Sequence, residues 1–229
     1  MDLSLMPLLA TLGAVVATKI VLSALLPAKK WSSRNKNVMI TGASSGIGAS
    51  LARFYAAEGA HLWLVARRAD KLEEVSEECR KLGARTVTLV VADVATEDGW
   101  KTIRESLAKA GSTEVAVDLL VLNAGLAMGS TFARLSATSS AVPIMKRLMD
   151  VNYLGAIGVY DAVLPHLMRS STGVRLIVVS SVVGLVAPPT RTGYAASKFA
   201  LKGRLVGSLA QIRTREHARN ARFVRDAVL

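Results

Sequence analysis

From Asn37 onward, short and almost wholly apolar runs alternate with longer segments whose apolar positions recur three and four residues apart. The short runs predict buried strands, and the longer segments predict helices. Their alternation predicts a doubly wound, Rossmann-like α/β fold, a parallel sheet of strand order 3-2-1-4-5 with helices on both faces. The predicted strands are Asn37–Thr41, His61–Ala66, Thr86–Ala92, Asp118–Asn123 and Val174–Ser181.

A different pattern precedes this domain, because the segment from Leu3 to Leu26 is largely apolar. At about 1.5 Å per residue, a helix of that length crosses a hydrocarbon core of roughly 30 Å. Lys19 interrupts the segment, and a cation at that depth costs about 2.5 to 3.5 kcal/mol unless its side chain reaches the interface. We therefore expect a transmembrane anchor over residues 3–26 and a basic linker over residues 27–36.

The flanking charges predict the orientation of this anchor. The chain begins Met1-Asp2, without the positive start of a cleaved signal peptide, and cations follow the segment at Lys29, Lys30, Arg34 and Lys36. The positive-inside rule then predicts a single-pass membrane protein whose folded domain lies in the cytoplasm. A cleaved signal peptide and a helix on the membrane surface are the alternatives. Cys79 is the only cysteine, which agrees with a reducing compartment.

Composition and charge change this picture little. The 229 residues suffice for one large domain, and the formal net charge is +12. Part of that charge lies in a basic tail over residues 204–229, which would suit acidic lipid or nucleic acid. No aromatic-interleaved basic patch accompanies the tail, so we expect no nucleic acid partner. The three histidines are scattered and no metal-ligand spacing is present, so we also expect no metal; they are His61, His166 and His217.

A glycine-rich stretch, T-G-A-S-S-G-I-G from Thr41 to Gly48, joins the first predicted strand to the first predicted helix. Such a turn presents backbone N–H groups and the positive end of the helix dipole, which together hold a pyrophosphate. The spacing departs from G-x-G-x-x-G, so an ordinary strand-to-helix loop is the alternative. The dinucleotide contacts predicted here are Thr41, Gly42, Ser44, Ser45, Gly46, Ile47 and Gly48.

The end of the second predicted strand bears on the choice of dinucleotide. An acid there would bind the ribose 2′-OH of NAD, but Ala66 occupies that position and Arg67 follows it. A guanidinium pairs well with the 2′-phosphate of NADP, so the sequence predicts NADP(H) as cofactor. The alternative is that Arg67 and Arg68 only begin a solvated helix.

Near the end of the domain, Tyr194 and Lys198 occupy positions i and i+4 of a predicted helix and therefore share one face. A free tyrosine has a pKa near 10, and a neighbouring cation favours the phenolate that acts as a base. Ser181, at a strand end, could then hydrogen-bond a substrate oxygen, and Asn152 could hold a water for proton relay. Each residue is commonplace when it is considered alone.

Taken together, these motifs resemble the classical branch of the short-chain dehydrogenase/reductase family. They are T-G-x-x-x-G-I-G, A-D-V at Ala92–Val94, N-A-G at Asn123–Gly125, and then Asn152, Ser181 and the Tyr194/Lys198 pair. The resemblance implies that Asp93 contacts the adenine and that N-A-G steadies the sheet beside the cofactor. It assigns Asn152, Ser181, Tyr194 and Lys198 to a catalytic tetrad, with Tyr194 as acid/base and Lys198 holding the nicotinamide ribose. The cofactor contacts it adds are Asp93, Val94, Asn123, Ala124, Gly125, Tyr194 and Lys198.

The resemblance extends from Asn35 to Gly203, and the later strands of the family are not recognisable after it. We expect a truncated or altered end, which would leave Val174–Ser181 at the sheet edge. Two functions follow from the sequence. One is an NADP-dependent oxidoreductase that interconverts a lipophilic alcohol and ketone of the steroid, retinoid or keto-lipid class. This enzyme would be anchored in the endoplasmic reticulum membrane and could form a homo-oligomer. The other is an inactive relative that binds only nucleotide or membrane.

Overall fold

A computed structural model describes residues 31–109, 115–171, 173 and 175–214, with residues 204–214 described as backbone only. Its strands are β1 (Asn37–Thr41), β2 (His61–Ala66), β3 (Thr86–Val91), β4 (Leu119–Leu122) and β5 (Leu176–Val178). All of their pairings are parallel, in the order β3-β2-β1-β4-β5. The predicted doubly wound sheet and its strand order are therefore confirmed.

Helices fill the intervals between the strands. They are α1 (Gly46–Ala57), α2 (Ala69–Leu82), α3 (Glu97–Lys109), α4 (Phe132–Ala137), α5 (Ala141–Met149), α6 (Gly155–Leu167) and α7 (Thr192–Thr214). A π-helical turn, Asp150–Leu154, joins α5 to α6 without a break, and a 3₁₀ turn, Val182–Gly184, follows β5. An insertion of this kind in a helix often marks a functional site.

The sheet is covered on both faces, as the continuously apolar strands require. Met39 of β1 packs in one core cluster with Ile103 of α3 and Val163 of α6. Because successive side chains of a strand point to opposite faces, Val38 and Ile40 are buried on the other face. Helices α1 and α2 pack against each other beside β1, β2 and β3. With its faces occupied in this way, the sheet leaves the carboxyl ends of β1 and β4 open for a ligand.

Three predicted strands are shorter in the structure. β3 ends one residue early, β4 loses one residue at each end, and β5 is reduced to Leu176–Val178. Side chains at these strand ends make further hydrogen bonds: the Asp118 carboxylate accepts from Asn37 N and Ser170 Oγ, and Ser181 Oγ accepts from Val183 N to begin the 3₁₀ turn. Backbone hydrogen bonds of the sheet nevertheless continue past the strand limits, from Asp118 N to Asn37 O and from Val179 N to Leu122 O.

The predicted anchor over residues 3–26 lies outside the described residues, together with Lys29, Lys30 and His217. Part of the predicted basic tail, residues 215–229, lies outside them as well, whereas residues 204–214 continue the backbone of α7. Among the helices that the structure describes, none combines the length and the apolar composition of a membrane span.

Candidate active site

A cavity of ≈ 430 Å³ opens at the carboxyl ends of β1 and β4. This is where the strand order reverses direction, the usual ligand position in a doubly wound sheet. Twelve of the residues predicted for the site line it: Gly42, Ser44, Ser45, Ile47, Arg67, Asp93, Val94, Asn123, Ala124, Gly125, Tyr194 and Lys198. Its wall also includes residues that were not predicted as site residues: Ala66, Arg68, Ala92, Leu126, Ala127, Val151, Val179 and Ser180.

The glycine turn at one end of the cavity has the geometry of an anion cradle. Gly42 and Gly46 have φ values of +67° and +56°, which favour glycine. A Cβ on Gly46 would meet nothing within 4 Å, so the backbone there is open to a ligand, whereas a Cβ on Gly48 would lie 2.3 Å from Gly42 O. No side chain caps the N-terminus of α1. Its first N–H groups are therefore available to a phosphate.

Thr41 holds this turn against β4 from inside the protein. Its buried Oγ1 accepts hydrogen bonds from Asn123 N (3.0 Å) and Ala124 N (3.1 Å), and it donates to Val121 O (3.3 Å). Asn123 Nδ2 donates in return to Thr41 O (2.9 Å). Thr41, Gly46 and Gly48, all predicted as cofactor contacts, do not line the cavity in the described part of the chain. They shape the turn instead.

Two arginines from the end of β2 lie on the cavity wall and bond different partners. Arg67 Nη1 lies 3.5 Å from Asp93 Oδ2. Arg68 Nη2 donates to Ser44 Oγ (3.1 Å) and Ser45 Oγ (2.9 Å) of the glycine turn. In an NAD site, an acidic residue at this edge of the cavity binds the ribose 2′-OH. Here two guanidiniums and two hydroxyls surround that edge instead. This donor set fits a phosphate group.

Asp93 has more partners than the sequence indicated. Its Oδ1 accepts from Ala95 N (3.0 Å), which turns the chain after β3. Its Oδ2 faces Arg67 and also Arg147 Nη2 (3.7 Å) of α5. Arg147 is 54 residues away in the sequence, and no motif contains it.

Asn152 lies in the π-helical turn, and its side chain is 1% exposed. Its Nδ2 donates to Leu126 O (2.8 Å) and Ser197 Oγ (2.9 Å), and its Oδ1 accepts from Leu126 N (2.7 Å). Both amide donors are therefore occupied by protein groups. A Cβ on Gly125 would lie 3.2 Å from Asn152 Oδ1 and 3.7 Å from Lys198 Nζ, so glycine at this position keeps the two side chains beside the cavity.

Tyr194 and Lys198 lie together on the face of α7 that borders the cavity. Lys198 Nζ is 5.8 Å from the centroid of the Tyr194 ring and donates to Val179 O (3.0 Å). The lysine is 4% exposed, and burial lowers its pKa below the ordinary value of 10.5. The buried ammonium thus lies over the face of the Tyr194 ring, within cation–π distance.

Ser181 immediately precedes the 3₁₀ turn and does not line the cavity in the described part of the chain. Its Oγ accepts from Val183 N (3.3 Å), which leaves its hydroxyl proton to be donated. Ser180 lines the cavity, although its Oγ is buried and has no hydrogen-bond partner among the described residues. The structure thus brings Asn152 and Lys198 close to Gly125, with Tyr194 on the same cavity wall.

The sequence profile of the short chain dehydrogenase family matches residues 36–216. A hydroxysteroid 11-beta-dehydrogenase 1-like protein from Xenopus tropicalis is 41% identical over 169 residues, which are 74% of this chain and 56% of that protein. An 11-beta-hydroxysteroid dehydrogenase-like 4A from Arabidopsis thaliana is 40% identical over 167 residues, which are 72% of this chain and 52% of that protein. The chain spans about half the length of the curated relatives it matches.

Solved structures have the same architecture. The L-sorbose reductase from Gluconobacter frateurii, determined with NADPH and L-sorbose, superimposes with a TM-score of 0.70 at 27% identity. The overlap covers 79% of this chain and 65% of that one. A short-chain type dehydrogenase/reductase from Mycobacterium marinum has the same fold, with a TM-score of 0.68 at 24% identity over 79% of this chain and 70% of that one.

Proposed function

This chain belongs to the short-chain dehydrogenase/reductase family, as a classical member, and from that premise we propose that it is an NADP(H)-dependent oxidoreductase. Its substrate is a lipophilic alcohol or ketone. The observation that carries the proposal is the pairing of Tyr194 with the buried Lys198 at one end of a cavity whose other end holds Arg67 and Arg68. Members of this family typically bind NAD(P)(H), and the two arginines favour the phosphorylated form.

The residues present fit a nicotinamide dinucleotide. The uncapped start of α1 suits a pyrophosphate, and the open space beside Gly46 admits it. Ser44, Ser45, Arg67 and Arg68 surround the position expected for a 2′-phosphate. When bound, the dinucleotide supplies or accepts the hydride.

The chain's own residues supply the proton. Tyr194 donates its phenolic proton to the carbonyl oxygen during reduction and removes the hydroxyl proton during oxidation. The ammonium of Lys198 stabilises the negative charge that remains on the phenolic oxygen, and this effect is strong because Lys198 is withdrawn from solvent. Ser181, whose oxygen already accepts from Val183 N, is free to donate to the substrate oxygen.

The lipophilic substrate is supported by two observations. The Xenopus and Arabidopsis relatives carry the names of hydroxysteroid dehydrogenases. Beside Ser181, the 3₁₀ turn and its continuation expose Val182, Leu185 and Val186 by 65%, 53% and 56%. Exposed apolar side chains next to a reacting centre suit a ligand with a large apolar surface. We further propose that residues 3–26 anchor the protein in the endoplasmic reticulum membrane with this site in the cytoplasm.

A turnover assay tests the proposal. The purified full chain is incubated with NADPH and a panel of steroid and other keto-lipids, and absorbance of NADPH is followed. Tyr194→Phe should reduce turnover at least about a hundredfold and leave NADPH affinity nearly unchanged, because only the ionisable oxygen is lost. Tyr55→Phe is the matched control, since Tyr55 is buried on α1 and does not line the cavity. Tight NADPH binding without turnover of any compound would favour the inactive nucleotide-binding relative instead.

A further inference from the structure

The carboxylate of Asp93 lies between two guanidiniums that come from different parts of the fold. Arg67 approaches Oδ2 from the end of β2 at 3.5 Å, and Arg147 approaches the same oxygen from α5 at 3.7 Å. Arg67 lines the cavity, and Arg147 does not. One anion therefore has two cationic partners in the part of the chain that the structure describes, and Arg67 is the one on the cavity wall.

This arrangement has an electrostatic consequence for a ligand that carries a 2′-phosphate. Arg67 can pair with that phosphate by exchanging its 3.5 Å contact with Asp93 for it. The exchange would leave the Asp93 carboxylate uncompensated close to an anionic ligand, and like charges at short range repel. Arg147 Nη2, 3.7 Å from the same oxygen, would then compensate the carboxylate.

We infer that Arg147 is a specificity-determining residue for NADP(H), acting as the counter-ion that releases Arg67 from Asp93. The inference rests on the proposed NADP(H) dependence and deepens it. NAD(H) lacks the 2′-phosphate, so Arg67 need not leave Asp93 when it binds. Arg147 should therefore influence NADPH affinity much more than NADH affinity.

A structural role for Arg147 would give a different result. If the ion pair only fixed α5 to the loop after β3, its loss would weaken both dinucleotides alike. The side chains of Arg147 and Asp93 are 45% and 28% exposed, so the pair contributes modestly to folding stability and the variants should fold. The ratio of the two dissociation constants separates the two roles.

Lys146 provides a matched control on the same turn of α5. It pairs with Asp150 at 2.7 Å and is 73% exposed, so Lys146→Gln removes one positive charge at the neighbouring position without touching Asp93. The full chain, in mild detergent, is titrated with NADPH and with NADH, and binding is followed by the fluorescence of the reduced nicotinamide. Dissociation constants are measured for the unmodified protein, Arg147→Gln, Arg147→Lys and Lys146→Gln.

Arg147→Gln should raise the dissociation constant for NADPH about three- to tenfold and that for NADH less than about twofold, as expected for loss of a partly exposed charge contact. Arg147→Lys should restore most of the NADPH affinity, and Lys146→Gln should leave both constants unchanged. In an Asp93→Asn background, Arg147→Gln should have no further effect on the ratio, because the charge that it compensates is gone.

The outcomes separate the two proposals. If the unmodified protein prefers NADPH and Arg147→Gln leaves the ratio of the two dissociation constants unchanged, the role of Arg147 is overturned. The NADP(H) preference then still stands. The same conclusion follows if the effect of Arg147→Gln persists at full size in the Asp93→Asn background. Equal affinity of the unmodified protein for both dinucleotides overturns the NADP(H) preference and the role of Arg147 with it.

Discussion

Lys198 Nζ donates a 3.0 Å hydrogen bond to the carbonyl oxygen of Val179, which ties the cavity face of α7 to the residue that follows β5. The bond sets the position of an ammonium group that is almost completely withdrawn from water. Burial without a carboxylate partner disfavours the charged form and lowers the lysine pKa. Burial of Lys198 therefore destabilises the fold, and it holds a cation in a fixed position beside Tyr194.

This cost predicts a pH dependence of stability. The pKa of Lys198 is lowered from 10.5 in the folded state, whereas in the unfolded chain it keeps its ordinary value. At a pH between the folded and unfolded pKa values, the unfolded chain therefore binds more protons than the folded protein. As pH rises through this window, the free energy of unfolding increases. Lys198→Met should remove the dependence and reduce turnover about a hundredfold or more. As pH increases, the melting temperature of the unmodified protein should rise relative to that of Lys198→Met. Lys101→Met, at a 70% exposed position, is the control, and parallel curves for Lys198→Met would contradict the prediction.

Thr41 should stabilise the fold through its hydroxyl and not through its methyl group. Thr41→Val keeps the shape but leaves the N–H groups of Asn123 and Ala124 without their acceptor, at a cost of about 2 kcal/mol. Thr41→Ser retains the oxygen and should cost less than about half as much. Denaturant unfolding of the three proteins measures the difference. Equal losses for the Val and Ser variants would assign the effect to packing.

Reversing the charge of Arg67 should reverse the cofactor preference. Arg67→Asp loses the guanidinium for the 2′-phosphate and offers a carboxylate to the ribose hydroxyl, so NADPH affinity should fall about tenfold to a hundredfold while NADH affinity rises. Arg80→Asp is the control, since Arg80 on α2 pairs with Glu73 outside the cavity. Dissociation constants from fluorescence titration check the order, and unchanged preference in Arg67→Asp would remove Arg67 from the site.

The proposed membrane topology predicts a protease pattern. With cations after the apolar segment, the protein should resist carbonate extraction, and protease added outside sealed microsomes should digest the chain from Asn35 onward. Protection of that portion until detergent is added would put it in the lumen. Release by carbonate would instead favour a cleaved peptide or a helix that lies on the surface.

The fold could be predicted from the sequence where local pattern determines structure. The limits of β1 and β2 agree with the prediction residue for residue, because buried parallel strands are continuously apolar and their flanks are polar. The glycine turn could be predicted for a similar reason, since positive φ and close backbone contact restrict those positions to glycine.

Contacts between distant parts of the chain could not be predicted in this way. Nothing near Arg147 in the sequence indicates that it reaches Asp93, and the bonds of Arg68 to Ser44 and Ser45 depend on how β2 ends beside the glycine turn. The sequence did contain one indication that Arg68 belongs to the site, namely its position next to Arg67 at a strand end. Ser181 illustrates the reverse case, because its motif is evident while its bond to Val183 N depends on a turn that has no sequence signature.

The π-helical turn Asp150–Leu154 makes the segment from α5 to α6 unusually sensitive to changes in chain length. Each residue of a helix advances the side-chain direction by about 100°, so an inserted residue gives the two halves different phases. The first half directs Arg147 toward Asp93, and the second half buries Val159 and Val163 in the core. Deleting one residue from the turn would rotate every later side chain of α6 away from its partner. Homologous proteins should therefore keep the length of this turn unchanged.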